Sequence, residues 1–104
     1  MTTRALERLR KKITIDNLWL YIVKVLIDHG PARAYDVKKL IREKFGFKPA
    51  TITVYTVIYR MTSEGLLEKV YADGDTLYKP SEKGIEAFNE ALKTIETILD
   101  KLKS

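Results

Sequence analysis

The chain has 104 residues, 45% of them hydrophobic and 32% charged, with 19 Lys and Arg against 14 Asp and Glu for a net charge of +5. The composition excludes intrinsic disorder, which needs few apolar residues, and the length suits one small domain that gains from burying further surface in an oligomer. No run approaches the ~18 apolar residues of a membrane span, no signal peptide is read at the basic start, and the lack of cysteine removes disulfides, thiolate metal sites and thiol nucleophiles, so a cytoplasmic protein with no membrane partner is expected.

Enzymatic chemistry is poorly supplied. The single histidine, His29, stands beside Gly30 at the expected end of a helix, where capping or exposure is the simpler role. No Ser-His-Asp set forms without it, the five scattered glycines make no phosphate loop, and no metal-ligand cluster is spaced for binding. The expectation is a protein that is not an enzyme and takes no cofactor.

The positive charge is concentrated. Residues 1–12 hold five cations against Glu7, and residues 32–64 hold seven against Asp36, Glu43 and Glu64, so each segment carries +4. The segments 13–31, 65–80 and 81–104 each come to −1. A localised basic surface is the footprint of a polyanion binder, with a solubilising lysine-rich surface as the alternative.

Residues 4–12 read as a short helix or frayed tail, with Thr2 or Thr3 as cap and a thin apolar edge of Leu6 and Leu9. Asp16 is the expected cap of a second helix that ends at His29-Gly30-Pro31. Its stretch Leu18–Ile27 carries one charge, Lys24, and is apolar nearly all round, which predicts burial on two sides and a spare face for a partner chain. A third helix over 34–45 places Val37, Leu40, Ile41 and Phe45 inward, with Lys38, Lys39, Arg42 and Lys44 outward, and stops at Gly46.

Pro49 precedes a fourth helix over 51–64, capped by Thr51 and stopped at Gly65. Val54, Val57, Ile58 and Met61 cluster on its core side, with Tyr55 at the edge of that side. The opposite arc holds Ile52, Thr53, Thr56, Tyr59, Arg60 and Ser63: hydroxyls, one Arg and no carboxylate. Threonine is a poor helix former, and contact with base edges and phosphates is one reason to keep it there. Residues 66–71 and 76–79 then form a β-hairpin through Asp73-Gly74, which lets Leu67, Tyr71 and Tyr78 share a face. Ser81 caps a last helix to Leu102, in which Ile85, Phe88, Leu92, Ile95, Leu99 and Leu102 recur at spacings of 3 and 4, a seam for a second helix.

Three helices, a hairpin and a long helix give a mostly α fold with a small β-hairpin wing: a winged helix-turn-helix over 1–80 and a C-terminal dimerisation helix over 81–104. In such modules the second helix of the pair enters the major groove. Three stretches resemble the PadR-like transcriptional regulators. Pro31–Val37 looks like the family's helix-opening Gly-Tyr segment, with Ala34 in place of the glycine. Thr53–Met61, followed by Glu64-Gly65-Leu66-Leu67, is similar to its recognition-helix motif, and Leu77–Gly84 to its wing exit. The resemblance implies a homodimeric repressor relieved by a small aromatic or drug-like effector, with Trp19 and Tyr21 as the aromatic residues able to meet it. One departure is the wing tip, Asp73-Gly74-Asp75, whose carboxylates repel phosphate and leave Lys69 and Lys79 as the only cations nearby.

The function expected is therefore sequence-specific binding of double-stranded DNA in transcription regulation. Thr53, Thr56, Tyr59 and Arg60 would read bases, Thr51 and Lys48 would meet phosphate, and Lys38, Lys39, Arg42 and Lys44 would grip the backbone. Trp19, Ile85, Phe88, Leu92, Ile95, Leu99 and Leu102 would form the dimer interface. The alternatives are a winged-helix protein-interaction module and a non-specific basic nucleic-acid coat.

Overall fold

The computed structural model describes residues 2–104 and runs α1 (Arg4–Ile13), a 3₁₀ turn (Ile15–Asn17), α2 (Leu18–His29), α3 (Ala34–Phe45), α4 (Thr51–Ser63), β1 (Leu67–Ala72), β2 (Asp75–Pro80) and α5 (Glu82–Lys103). The core is a single cluster. Leu18, Ile22, Val23, Val25 and Leu26 of α2 meet Val37 and Ile41 of α3, Val54, Ile58 and Met61 of α4, Leu67 and Tyr78 of the hairpin, and Phe88 of α5. The nearly all-apolar sequence of α2 thus has its explanation inside the chain. It is the central helix, with α3, α4, β2 and α5 all packed on it. The expected spare face for a partner narrows to Trp19, Leu20 and Tyr21, half-buried at its first turns, and to Ile27, 43% exposed near its end.

The caps differ from expectation at two helices. Thr3 caps α1, its side chain accepting from the Leu6 N–H at 3.1 Å. Asp16 does not cap α2. It lies in the 3₁₀ turn and pairs with Lys12 at 3.2 Å, because the turn places Asn17 at the cap position. Thr51 does not cap α4 either. Ala50 holds that position and Thr51 is the first helical residue, where its hydroxyl accepts from Lys38 Nζ at 3.0 Å. Ser81 caps α5 as its sequence predicts, accepting from the Gly84 N–H at 3.0 Å.

The hairpin is closed by a two-residue turn. Ala72 pairs with Asp75, and Asp73 and Gly74 have φ of 51° and 81°, both positive as a type I′ turn demands. In this register Leu67 and Tyr71 flank Lys69, the partner of Tyr78, on one face. Leu67 and Tyr78 enter the core, while Tyr71, nearer the tip, is 73% exposed. Ala32, just before α3, pairs with Tyr78 through two backbone hydrogen bonds, so the α2–α3 connection adds a short third edge to the wing.

A knot of backbone contacts joins α4, the wing and α5. The Ser81 N–H donates to the Leu66 carbonyl at 3.0 Å, and the Ser81 hydroxyl donates to the Gly65 carbonyl. Gly84 lies so close that a Cβ there would stand 2.1 Å from the Leu66 oxygen. On the far side of the body, Asp28 receives Lys44 at 2.8 Å and Lys24 at 3.1 Å, tying α2 to α3. Lys44 and then Lys24 hold the Asp28 carboxyl below its ordinary range. That tie is complete above the unfolded carboxyl pKa of about 3.9 and is lost as pH falls through the lower folded value.

Helix propensity alone makes Gly→Ala favourable by about 1 kcal/mol inside a helix. At Gly84 the clash with backbone reverses the sign, and Gly84→Ala is expected to destabilise by about 1–3 kcal/mol. Chemical denaturation checks it, through a lowered midpoint at unchanged slope.

Candidate nucleic-acid interface

The surface follows from the way α4 is seated. Val54, Ile58 and Met61 are buried, and at 3.6 residues per turn this leaves an outer face centred on Ile52, Thr56 and Ser63. Ile52 is 78% exposed and Tyr59 55% exposed. Thr51, Thr56, Arg60 and Ser63 are exposed and Thr53 is half-buried. The threonines have a local use as well. Thr56 donates to the Ile52 carbonyl and Thr62 to the Ile58 carbonyl, each at 2.8 Å. Such back-bonding satisfies the hydroxyl hydrogen and leaves the exposed Thr56 oxygen free to accept a further bond.

The two borders of this face are different. On one side a notch of about 290 Å³ between α3 and α4 is lined by Tyr35, Lys38, Lys39, Arg42, Thr51 and Tyr55, with Asp36 at its edge. Asp36 adds little negative potential there, because Arg33 grips it through two hydrogen bonds of 2.9 and 3.1 Å and holds its carboxyl below the usual range. Tyr55 and Tyr59 lie together on this border, with ring centroids 6.2 Å apart. On the other side Arg60 lines a cleft of about 330 Å³ with Ile15, Asp16, Trp19, Val57 and Glu64. The residues expected to read bases therefore span the helix, Tyr59 toward one border and Arg60 toward the other.

The basic residues sort by their partners. The side chains of Arg42, Lys48 and Arg60 have no ion pair or hydrogen bond among the described residues, that of Lys38 bonds only Thr51, and that of Lys39 is 3.9 Å from Glu43. Lys44 does not join this group. Its ammonium turns to Asp28 of α2, on the far side of α3. Lys79 in the wing is 3.8 Å from Glu68, which leaves Lys69 as the wing's one cation outside an ion pair among the described residues. Sequence reasoning did not single out Tyr35, which is 72% exposed at the head of the notch with the Arg33 guanidinium 5.7 Å from its ring centroid. An aromatic residue just after a helix start, followed by a cationic row, is the signal that marks it.

Beyond this face, the residues expected at a dimer interface lie along α5. Ile85, Leu92, Ile95, Leu99 and Leu102 are 40–79% exposed, and Ile98, outside the 3–4 spacing, is 54% exposed. Phe88 differs, being buried in the chain's own core, and Trp19 is half-buried. Tyr21 is occupied within the chain. Its ring meets Phe45 and Phe47 edge-on at 4.8 and 5.0 Å, and its hydroxyl donates to the Ile13 carbonyl. Among the described residues no group of His, Cys, Asp and Glu is placed to hold a metal ion, and no helix is long and apolar enough to cross a membrane.

No protein-family model matches the chain, and no curated protein matches its sequence. Solved structures do match its shape. A transcriptional regulator from Clostridium thermocellum superposes with a TM-score of 0.74 at 19% identity, covering 99% of this chain and 96% of its own. F93 from STIV, a winged-helix DNA-binding protein, gives 0.70 at 20% identity over 82% and 92% of the two chains. A PadR family transcription regulator from Clostridium difficile R20291 gives 0.60 at 19% identity over 83% and 99%. A MarR family protein from Bacillus stearothermophilus is also similar, so the likeness extends well beyond the PadR type. Element order, hairpin geometry and these superpositions agree that the chain has the winged-helix fold, extended by a long C-terminal helix.

Proposed function

We propose that the chain is a sequence-specific DNA-binding transcriptional regulator that acts as a homodimer and represses by occupying its operator. The observation that carries this reading is the outer face of α4, exposed from Ile52 to Ser63, free of carboxylates and served by Arg42, Lys48 and Arg60, whose side chains have no partner among the described residues. A duplex has one phosphate charge for about every 1.7 Å of axis, and a helix presenting hydroxyls, Tyr and Arg fits its major groove. Thr53, Thr56, Tyr59 and Arg60 are assigned to base edges, with Ile52 toward a thymine methyl. Thr51 and Lys48, with Lys38, Lys39 and Arg42 around the notch, are assigned to phosphates. The structural neighbours described as winged-helix or transcription regulators support the same reading.

The dimer is assigned to the exposed stripe of α5, Ile85, Leu92, Ile95, Leu99 and Leu102, with Trp19 at its edge and Phe88 anchoring the helix from within. Five large apolar residues on one helix face are costly to leave in water, at about 25 cal/mol per Å², and a second copy of the same stripe covers them. A small aromatic effector is assigned to the cleft beside Trp19, because Arg60 lines that cleft and belongs also to the reading face.

Binding of labelled DNA from upstream of the protein's own coding sequence, against a scrambled duplex of equal composition and at two salt concentrations, tests the proposal. Preference for the upstream fragment that survives added salt is expected, whereas equal affinity with a steep salt slope makes the protein a non-specific coat. Arg60→Ala is expected to cost about 1–3 kcal/mol on the preferred sequence and to relax preference. Full affinity and preference in that variant remove Arg60 from base reading. Lys39→Ala is expected to weaken all sequences alike and to reduce the log–log salt slope by about 0.9 for each phosphate the protein ceases to neutralise. Leu92→Glu with Leu99→Glu is expected to yield a folded monomer by sedimentation, with circular dichroism as the folding control.

A further inference from the structure

Four of the chain's six tyrosines stand along one line of the surface. Tyr35 and Tyr55 line the notch between α3 and α4. Tyr55 and Tyr59 follow one turn apart on α4, with ring centroids 6.2 Å apart. Tyr71 continues the line onto the wing. In the hairpin register it shares a face with Leu67, Lys69 and Tyr78, and Leu67 and Tyr78 turn that face toward the core. Burial first, and then the nearby Tyr59 and Tyr71, push the Tyr78 hydroxyl above its ordinary value, which brings both rings to the same corner of the molecule. The two ends of the line are its most exposed members, Tyr35 at 72% and Tyr71 at 73%, with Tyr59 at 55% and Tyr55 half-buried.

Cations run beside this line. Lys38, Lys39 and Arg42 share the notch with Tyr35 and Tyr55, and Asp36 at its edge is taken up by Arg33. On the wing, alternation along the strands puts Lys69 on the face of Tyr71 and sends Glu68 and Asp75 to the opposite one. Arg60 lies off the line, in the cleft on the other border of α4. A duplex uses such a surface poorly. Its base pairs cover one another's faces and present only edges in the grooves, so Tyr35 and Tyr71, which stand outside α4, find no base to stack on. An unpaired strand presents both charge for the cations and open base faces for the rings, the combination by which single strands are held. Tyr35 is also steadied in advance, with the Arg33 guanidinium 5.7 Å from its ring centroid.

We infer that this line of tyrosines holds single-stranded DNA, with bases stacked on Tyr35, Tyr59 and Tyr71 and phosphates against Lys38, Lys39, Arg42 and Lys69. This is a second class of ligand beside the duplex proposed above, and it is separable from that reading because Arg60 takes no part in it. The probe is a labelled thymidine homopolymer of about 12 nucleotides, measured by fluorescence anisotropy with no duplex present and compared with the scrambled duplex. Wild-type protein is expected to bind the homopolymer. Tyr35→Ala with Tyr71→Ala is expected to weaken that binding about tenfold or more at an unchanged log–log salt slope, since stacking releases no counterions, and to move the scrambled duplex by less than about twofold, since the cations remain. Tyr35→Phe with Tyr71→Phe keeps the rings and is expected to bind the homopolymer as wild type does, as is Arg60→Ala. Circular dichroism serves as the folding control. No binding of the homopolymer, or binding that the alanine pair leaves unchanged, overturns the inference. An equal loss for homopolymer and duplex overturns it too, because the rings then belong to the duplex interface. So does a loss in the phenylalanine pair as large as in the alanine pair, which assigns the contact to the hydroxyls. If the upstream duplex is not preferred while the homopolymer keeps its dependence on the tyrosine rings, the duplex reading falls and this one stands.

Discussion

Burial of the broad apolar side of α2 is the constraint from which the arrangement of the other elements follows. Leu18, Ile22, Val23, Val25 and Leu26 spread their apolar side chains over nearly half the circumference of the helix, so the remaining elements are obliged to pack around that side. α3, α4, β2 and α5 all pack on it. With α4 pressed inward by Val54, Ile58 and Met61, its opposite face has nowhere to go but outward. The exposed outer face is therefore a by-product of core formation: the same helical period that buries three residues aligns Ile52, Thr56 and Ser63 in solvent.

Charge distribution adds a second level of organisation. Of the cations around the notch Arg42 is unpaired among the described residues, Lys38 bonds only a hydroxyl and Lys39 stands 3.9 Å from Glu43, while Asp36 is engaged by Arg33 and Asp28 by Lys24 and Lys44. The wing is arranged in the opposite sense. Asp73 and Asp75 frame its tip and Glu68 draws off Lys79, so this hairpin offers phosphate little. In the proposed complex the grip on the backbone falls to α3 and the start of α4, and the wing serves the fold through Leu67 and Tyr78.

Most of this arrangement was legible in the sequence because the signals were periodic or stereochemical. The Asp73-Gly74 turn, the Ser81 cap and the stops at Gly30 and Gly46 each depend on local backbone chemistry, and each is found. What escaped depends on residues far apart in the chain. Asp16 and Thr51 are good capping residues, but a 3₁₀ turn shifts the start of α2 and a bond from Lys38 holds Thr51 inside α4. The apolar circumference of α2 was visible, whereas its coverage by four elements of the same chain was not, since periodicity reports how much surface needs covering and not what covers it. The Ala32–Tyr78 bridge has no sequence signal at all. At the candidate site, residue types and the outer face were readable, but the diversion of Lys44 to Asp28 and the division of Tyr59 and Arg60 between two borders needed the packed structure.

The knot at Leu66, Ser81 and Gly84 has a mechanical consequence. With two hydrogen bonds and one van der Waals contact to backbone at the same point, the end of α4 and the start of α5 share a joint with no slack. Twenty-two residues make α5 a rod of about 33 Å. In the proposed dimer, the angle at which two such rods cross sets the distance between the two reading faces, as a pair of dividers is set at its pivot. Major grooves on one side of a duplex recur every 34–36 Å or so, and a change of about 10° at the pivot moves the far end of such a rod by roughly 6 Å. Repacking a few side chains along the stripe would then shift the protein between matching and missing its operator, without altering any residue that touches a base.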